Sequence, residues 1–493
     1  MTVNIGRVRQ QVHGFGAIVL LQPSWWVVVG RTLLRAVESI ACPLTLRHGS
    51  GTVEAMRGGV SDAAVRPAGL PVHPRQPLPS ALASPSMTLR LASTLGFAAL
   101  LAACANGPSR ESRGGPSRYL YVWAGTGTRT APGRDMITVV DANPSHASYG
   151  TVLAALTVDS SGLMPHHTEF AAPARGALFA NDYLGDKSFL IDFSSPTTPR
   201  LAARLDRVPN GRRLHSFARL PNGHVVATVQ FGDSAVPGQP GGIAEFDADG
   251  HLLRTSWSRD STYPGARIRT YGITLIPSLD RIVTTSAPMD RERTADVVQV
   301  WRLSDLRLLK TLAVPRVPGD SAQEHPFEVR TLGDGSVMMN TYYCGFFHIT
   351  DLGGDPKIAR VLALPEPRDF GCSVPVLASH FLVMPIAYAH RYATIDIADP
   401  DHPKEIASLS TDTTFFPHWA ALDPGSDRVV FTDQGDGKAQ VRVAHLDRTT
   451  GRLSWDEGFK DAGAASPGIS YDRASWPNGV KGMAMPHGAV FVP

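Results

Sequence analysis

Residues 214–257 contain four short apolar segments separated by turn residues: Leu214-His-Ser-Phe-Ala-Arg-Leu-Pro-Asn-Gly223, His224-Val-Val-Ala-Thr-Val-Gln230, Gly242-Ile-Ala-Glu-Phe-Asp247 and Leu252-Leu-Arg-Thr-Ser-Trp257. β-Branched and aromatic residues bounded by Pro, Asn, Gly and Asp are typical of strands joined by tight turns. The stretch therefore predicts four successive strands. Four short strands in a period of roughly 40 to 50 residues are typical of one blade of a β-propeller.

The same pattern recurs from Tyr119 to the end of the chain. Further blade starts are Met164-Pro-His-His-Thr-Glu-Phe170, Thr270-Tyr-Gly-Ile-Thr-Leu275, Glu324-His-Pro-Phe-Glu-Val329, Asp369-Phe-Gly-Cys-Ser-Val374 and Phe416-Pro-His-Trp-Ala-Ala421. The last segment, Met485-Pro-His-Gly-Ala-Val-Phe-Val-Pro493, resembles a first strand without the rest of its blade. We therefore expect residues 118–493 to form an all-β, seven-bladed β-propeller. Pairing of the C-terminal strand with the N-terminal blade would close it, because closure removes open strand edges.

Composition excludes several classes of protein. The 47 basic and 44 acidic residues leave a formal net charge of +3, which is too small to indicate a nucleic-acid-binding surface. The 46 glycines and 39 prolines fit short strands and turns better than long helices. The four cysteines, Cys42, Cys104, Cys344 and Cys372, contain no CxxC pair, so neither a disulfide framework nor a zinc ribbon is expected.

The segment from Met87 to Cys104 has the outline of a bacterial lipoprotein signal peptide, with a basic residue, an apolar stretch and small residues before the cysteine. Lipidation of Cys104 and a polar tether over 105–117 would anchor the protein in the cell envelope, facing the periplasm, and this lipid would be its only membrane contact. Residues 1–86 are interpreted as an upstream extension included by a mis-called gene start. The alternative is a disordered extension on a cytoplasmic protein.

Histidines at the blade starts predict a metal site on the propeller axis. Innermost strands line the central channel, so residues at equivalent places in successive blades converge there. These residues are His166 or His167, His215, Tyr271, His325, Cys372, His418 and His487. Tyr271 and Cys372 are expected to line the channel rather than bind metal, and Cys344 is expected to serve packing.

A set of imidazoles without thiolate or carboxylate suits copper, iron or zinc rather than calcium or magnesium. Glu169 and Glu328 lie near the ring in sequence and are predicted to orient imidazoles as hydrogen-bond acceptors. The predicted partners are a small-molecule substrate and dioxygen.

The chain resembles the selenium-binding protein and methanethiol oxidase family over most of residues 118–493. The resemblance lies in Tyr119-Leu-Tyr-Val-Trp-Ala-Gly125, Met136-Ile-Thr-Val-Val-Asp-Ala-Asn-Pro144 with Tyr149-Gly150, His166-His167, Leu214-His215 with Gly241-Gly242, and the histidine of the terminal strand. It implies a seven-bladed propeller that binds copper through His166, His167, His215 and His487. It also implies oxidation of methanethiol by dioxygen to formaldehyde, hydrogen sulfide and hydrogen peroxide.

One departure from the family pattern affects the substrate. Known members follow the His-His pair with a CxxC that has been linked to selenium, whereas this chain reads Thr168-Glu-Phe-Ala-Ala-Pro173. Selenium binding through cysteine is therefore not expected, and the chain looks like a divergent branch. Two other functions stay open: a non-haem iron(II) dioxygenase of the carotenoid-cleavage type, and a non-enzymatic surface propeller with a structural metal.

Overall fold

Antiparallel strands, each followed in the chain by its neighbour in the sheet, make up most of the regular structure. A computed structural model describes residues 115–127, 132–158, 164–232, 239–289, 293–365, 371–433 and 439–493, all within one compact unit, residues 111–493. The interpretations of residues 1–86, of the signal peptide with Cys104 and of tether residues 105–114 lie outside the described residues. In the described part, no helix is long and apolar enough to span a membrane.

The strands form seven sheets, one for each blade. Blade 1 contains β1 (Tyr119–Gly127), β2 (Pro132–Asp141) and β3 (Val152–Thr157), together with the final strand of the chain. Blade 2 contains β4 (Pro165–Thr168), β5 (Ala177–Asp182), β6 (Lys187–Asp192) and β7 (Arg200–Arg204). Blade 3 contains β8 (Arg212–Arg219), β9 (Val225–Phe231), β10 (Gly242–Phe246) and β11 (Leu252–Trp257). The four strands predicted over residues 214–257 are therefore confirmed.

Blades 4 to 7 repeat the arrangement. Blade 4 contains β12 (Thr270–Ile276), β13 (Arg281–Ser286), β14 (Val297–Arg302) and β15 (Leu308–Ala313). Blade 5 contains β16 (Pro326–Thr331), β17 (Val337–Thr341), β18 (Gly345–Thr350) and β19 (Lys357–Ala363). Blade 6 contains β20 (Val376–Ala378), β21 (Phe381–Ile386), β22 (Arg391–Asp396) and β23 (Lys404–Ser410). Blade 7 contains β24 (Pro417–Leu422), β25 (Arg428–Asp433), β26 (Gln440–Leu446), β27 (Leu453–Trp455) and, paired with β26, β28 (Ile469–Ser470).

Burial falls from the inside of each blade to the outside. Strand β9 is buried at six successive positions, whereas β7, at the outer edge of blade 2, alternates exposed and half-buried residues. Apolar clusters fill the spaces between blades; in one of them Phe179 of blade 2 packs against Phe217 and Phe246 of blade 3. The propeller is therefore held together by packing between neighbouring sheets.

The ring closes between the two ends of the propeller. The last strand, β29 (Ala484–Val492), pairs with β1 from Tyr119↔Val492 to Thr126↔Ala484. The indole nitrogen of Trp419 in blade 7 also donates a hydrogen bond to the Ala489 carbonyl. The predicted seven-bladed fold and its closure by the C-terminal strand are thus confirmed.

One expectation about cysteine is wrong. Cys344 and Cys372 form a disulfide, and both are buried. Cys344 follows β17 in blade 5 and Cys372 precedes β20 in blade 6, so the bond joins two blades. The two cysteines are 28 residues apart in the sequence, and this separation does not predict that they pair. They meet because the propeller places the turn after β17 of blade 5 beside the first segment of blade 6.

Candidate metal centre on the propeller axis

The innermost strands share a break in pairing at the channel. The register with the second strand shifts by one residue in β4, β8, β12, β16, β24 and β29. Such shifts re-aim side chains away from the regular alternation of a strand. Contacts between the innermost strands of successive blades, such as β29 with β4 and β4 with β8, show that these positions adjoin one another around the axis.

The first residue within each shift defines an axis position. These residues are His487 in blade 1, His166 in blade 2, His215 in blade 3, Tyr271 in blade 4, Phe327 in blade 5 and His418 in blade 7. Proline precedes four of them, and proline is tolerated at strand edges and bulges. In blade 2 the second residue of the shift, His167, is also a histidine.

The prediction for blade 5 is wrong by two residues. His325 precedes β16, has a left-handed backbone with φ of 58°, and packs its ring 5.4 Å from that of Tyr343. Phe327 takes the axis position instead. Aligning the prolines at the blade starts would have identified Phe327, because Pro326 corresponds to the prolines that precede His166, His418 and His487. In blade 6, Cys372 precedes β20 and forms an isolated bridge to Ile386 of β21. Its sulfur is bonded to Cys344 and is therefore not available to a metal.

The other blade-start histidines form one cluster. The Nε2 atoms of His166 and His215 lie 2.9 Å apart, and His166, His167 and His487 offer ligand atoms within 4.8 Å of one another. The His418 ring centroid lies 4.4 Å from that of His487. These five imidazoles come from blades 7, 1, 2 and 3, which are adjacent in the closed ring.

The cluster is buried and electrically neutral. Desolvation lowers the pKa of His215 to about 3 and of His418 to about 4, and lowers the pKa values of His166, His167 and His487 well below the ordinary value for histidine. Mutual repulsion between charged imidazoles adds to this effect. All five side chains are therefore uncharged at neutral pH, which is the form that binds metal ions.

Several of these nitrogen atoms have no hydrogen-bond partner although they are buried: His166 Nδ1, His167 Nε2, both ring nitrogens of His418, and His487 Nδ1. Buried polar atoms normally have partners because leaving them unsatisfied costs about 1–3 kcal/mol each. A cation bound by these nitrogens would satisfy them. The residues present therefore fit a metal ion held by imidazoles.

Ser216 and Asn181 position two of the imidazoles, and neither was predicted from the sequence. The Ser216 hydroxyl lies 3.1 Å from His167 Nδ1 and 3.0 Å from His215 Nδ1. The Asn181 amide donates to the His215 carbonyl and accepts from the His167 backbone N–H. Contacts at Nδ1 leave the Nε2 atoms of both histidines for the cluster, as expected for residues that orient metal ligands.

Polar residues on the second strands hold the backbone of the axis positions in neighbouring blades. Each donates to a carbonyl in the next innermost strand: Asn181 to His215, Thr228 to Tyr271, Thr285 to Phe327, Asn340 to Cys372 and Thr432 to His487. The neighbouring strands approach so closely that a Cβ on Gly488 would lie 2.8 Å from the Thr168 backbone nitrogen. These hydrogen bonds between neighbouring blades hold the backbone at the axis positions rigid.

The two glutamates predicted near the ring have different surroundings. Glu169 is bonded through both carboxylate oxygens, to Arg219 and to the Phe179 backbone N–H. Glu328 is fully buried and accepts from Arg330 at Oε2 only, while Oε1 has no partner. The described contacts of neither glutamate reach an imidazole, so the orienting function falls to Ser216 and Asn181.

Aromatic side chains surround the imidazoles. The Trp419 ring centroid lies 5.2 Å from that of His167, Tyr183 lies 5.7 Å from His166, and Tyr271 lies 3.9 Å from His215. Phe170 stacks on Trp419 at 5.2 Å. On the sides formed by blades 2, 4 and 7, the imidazoles are therefore flanked by aromatic surface, which suits a small apolar group.

Comparisons with known proteins agree with this arrangement at a coarse level. No family model matches the chain. A methanethiol oxidase from Hyphomicrobium is 23% identical over 373 residues, which cover 69% of this chain and 81% of that protein.

Solved structures show the same fold. A hypothetical selenium-binding protein from Sulfolobus tokodaii superposes with a TM-score of 0.61 at 15% identity, covering 77% of this chain and 94% of that one. A periplasmic gluconolactonase from Pseudomonas aeruginosa has a TM-score of 0.51 at 16% identity, covering 76% and 99%. Propellers of several functions share the architecture, so the argument for function depends on the axis. The chain is a distant relative of a methanethiol oxidase, with a histidine cluster on the axis of a β-propeller.

Proposed function

We propose that this protein is a copper-dependent oxidase of a small thiol, with methanethiol as the first substrate to test. In the overall reaction, one molecule each of methanethiol, dioxygen and water would give one each of formaldehyde, hydrogen sulfide and hydrogen peroxide. The observation that carries the proposal is the cluster of buried, neutral imidazoles whose nitrogens lack partners. The 23% identity to a methanethiol oxidase supports the choice of substrate class.

His166, His167, His215 and His487 would hold the metal, with His418 as a fifth ligand from blade 7. Bound there, copper would supply redox chemistry between a thiol and dioxygen. Imidazole donors suit copper, iron and zinc, and copper is preferred here because it changes oxidation state and its reduced form binds soft sulfur well.

The protein's own residues would then control which molecules reach the site. His487 and His418 keep 9% and 6% of their surface accessible, while the other imidazoles of the cluster are at 2% or below. Substrate would therefore approach on the side of blades 7 and 1. Trp419 and Tyr271 would contact the methyl group and exclude bulk water, and Ser216 would keep His167 and His215 in place.

We also propose that the protein acts outside the cytoplasm, lipid-anchored through Cys104 and facing the periplasm. The Cys344–Cys372 disulfide supports this location, because disulfides form and persist in oxidising compartments. Mass spectrometry of the protein from membranes tests it: a diacylated N-terminal Cys104 is expected. An unmodified chain that begins at Met1 in the soluble fraction would contradict it.

The decisive experiment measures metal content and oxygen consumption together. Residues 105–493 would be purified from cells supplied with copper and iron, and bound metals quantified by elemental mass spectrometry. About one copper per chain and methanethiol-dependent oxygen uptake are expected. Both should be lost in His215→Ala and kept in His380→Ala, because His380 lies in the turn before β21, outside the cluster.

Other outcomes would favour the other candidate functions. Bound iron, with no uptake on any thiol, would favour a non-haem dioxygenase. Bound copper with no oxygen uptake on any thiol would favour a non-enzymatic surface propeller with a structural metal. Absence of bound metal after growth with copper and iron would contradict the proposal.

A further inference from the structure

We propose that Glu328 is the proton-transfer residue of the axis site, a role that rests on the proposed thiol-oxidase function. Glu328 is the second residue within the register shift of blade 5, between Pro326 and Val329, the place that His167 takes in blade 2 and Ser216 takes in blade 3. The carboxyl is fully buried and its Oε1 atom has no hydrogen-bond partner. It therefore has an oxygen available for a substrate proton.

The location of Glu328 relative to the imidazoles follows from a chain of contacts. The ring of its neighbour Phe327 lies 4.2 Å from that of Tyr271, which in turn lies 3.9 Å from His215. A Cβ on Gly272 would approach the Glu328 Cα to 3.2 Å, so blades 4 and 5 touch at this point. Glu328 thus lies beside Tyr271, between blades 4 and 5, whose described axis positions are Tyr271 and Phe327 and not histidines.

Arg330 fixes the carboxylate and also contacts two other blades. Its Nη1 donates to Glu328 Oε2 at 2.9 Å, and its Nε and Nη2 donate to the Pro375 carbonyl. The guanidinium also lies 4.1 Å from the ring centroid of Phe170, which belongs to blade 2. Arg330 therefore spans the channel from blades 5 and 6 to blade 2, and it holds Glu328 by one oxygen while leaving the other without a bond.

Among the described residues, the other two buried glutamates, Glu169 and Glu245, lack this free oxygen. Glu245 in blade 3 accepts from His224 at Oε1 and from Arg254 at Oε2. Both oxygens of Glu169 are likewise bonded, to Arg219 and Phe179. Burial raises the pKa of Glu328 above its usual value, the direction expected of a buried carboxyl that exchanges a proton.

The proton balance of the reaction includes one transfer that this carboxyl could perform. Oxidation of methanethiol to thioformaldehyde releases two protons and two electrons, and dioxygen takes up two protons and two electrons to become hydrogen peroxide. Hydrolysis of thioformaldehyde by one water then gives formaldehyde and hydrogen sulfide. Glu328 would accept the S–H proton as the thiol binds and return it to the reduced oxygen, while the second proton comes from the methyl group.

The test is steady-state kinetics of copper-loaded Glu328→Gln, because glutamine keeps the shape and can still accept from Arg330. We expect kcat to fall by roughly 10²- to 10⁴-fold, the usual contribution of general acid–base catalysis, with bound copper unchanged. The acid limb of the pH–kcat profile should disappear in Glu328→Gln and return, with partial activity, in Glu328→Asp. Glu245→Gln is the matched control, expected to keep full kcat and the wild-type profile.

Three outcomes separate the two proposals. An active wild type with an unaltered kcat and pH profile in Glu328→Gln would overturn the role of Glu328 and leave the oxidase intact. Loss of copper from Glu328→Gln would also overturn it, because the residue would then support the metal site. A copper-loaded wild type without thiol oxidation would overturn the proposed function and this role with it.

Discussion

Replacement of His418 by leucine should stabilise the metal-free protein and reduce the stabilisation that a bound metal adds. His418 lies at the axis position of blade 7, is 6% exposed, and has no hydrogen-bond partner at either ring nitrogen. Burial lowers its pKa to about 4, so at pH 7 the ring is neutral, with one N–H donor and one acceptor. Without a metal, the folded protein leaves both groups unsatisfied.

The size of the effect follows from those two groups. An unsatisfied buried donor or acceptor costs about 1–3 kcal/mol, and a volume-conserving swap in a core costs less than about 1.5 kcal/mol. Two such groups together cost about 2–6 kcal/mol, so metal-free His418→Leu should be more stable than the wild type by about 0.5–6 kcal/mol. Free copper at about 100 times its dissociation constant would add about 2.7 kcal/mol to the wild type. The variant should gain less, because it lacks one ligand.

Urea unfolding followed by tryptophan fluorescence, in EDTA and in copper, measures both effects. The expected result is a higher midpoint for His418→Leu in EDTA and a smaller copper-induced shift. His380→Leu is the control and should match the wild type in both conditions, because that side chain lies outside the cluster. A metal-free His418→Leu that is less stable than the wild type would refute the reasoning, since the imidazole would then be satisfied without metal.

Three further predictions concern closure, ligand orientation and pH. Deletion of residues 484–493 should prevent folding, because it removes β29 with the buried side chains of Val490 and Phe491 and leaves the edge of β1 unpaired. Circular dichroism of the deletion variant, with and without an added peptide of residues 484–493, measures the loss of β-structure. Ser216→Ala should reduce copper affinity roughly 10- to 100-fold while the fold is kept, as measured by competition with a chelator; unchanged affinity would contradict its orienting role. Hydrogen bonding to Asp456 and then to Asp427 raises the pKa of His445 to about 9. Its stabilising contribution should be complete below about pH 6.5 and lost as the pH rises through 9, so melting of wild type and His445→Gln should differ at pH 6 and converge above pH 9.

Much of the fold could be predicted from local sequence. Strand length, turn residues and the period of the repeat are properties of neighbouring residues, so segments such as 214–257 specify a blade without the rest of the protein. The apolar C-terminal segment likewise indicated closure, because a lone first strand has no other partner. The axis histidines could be read from the same repeat, since equivalent strand positions converge in a ring.

Tertiary structure decided what the repeat left open. His325 looked equivalent to the axis histidines, yet the register shift of β16 places Phe327 on the axis. The repeat likewise could not show that Glu169 is bonded through both oxygens whereas Glu328 keeps one free. The first feature depends on a one-residue register shift and the second on a single hydrogen-bond partner. Local sequence patterns predict neither.

The grouping of the ligands was also decided by the ring. His418 and His487 are more than 200 residues from His215 in the chain, and closure of blade 7 onto blade 1 brings all three to one side of the axis. The same geometry joins Cys344 to Cys372 and brings Ser216 against His167. The sequence by itself determined the blades and the residue types at their inner edge. Which of those residues meet depended on contacts between blades, because each partner comes from a different sheet.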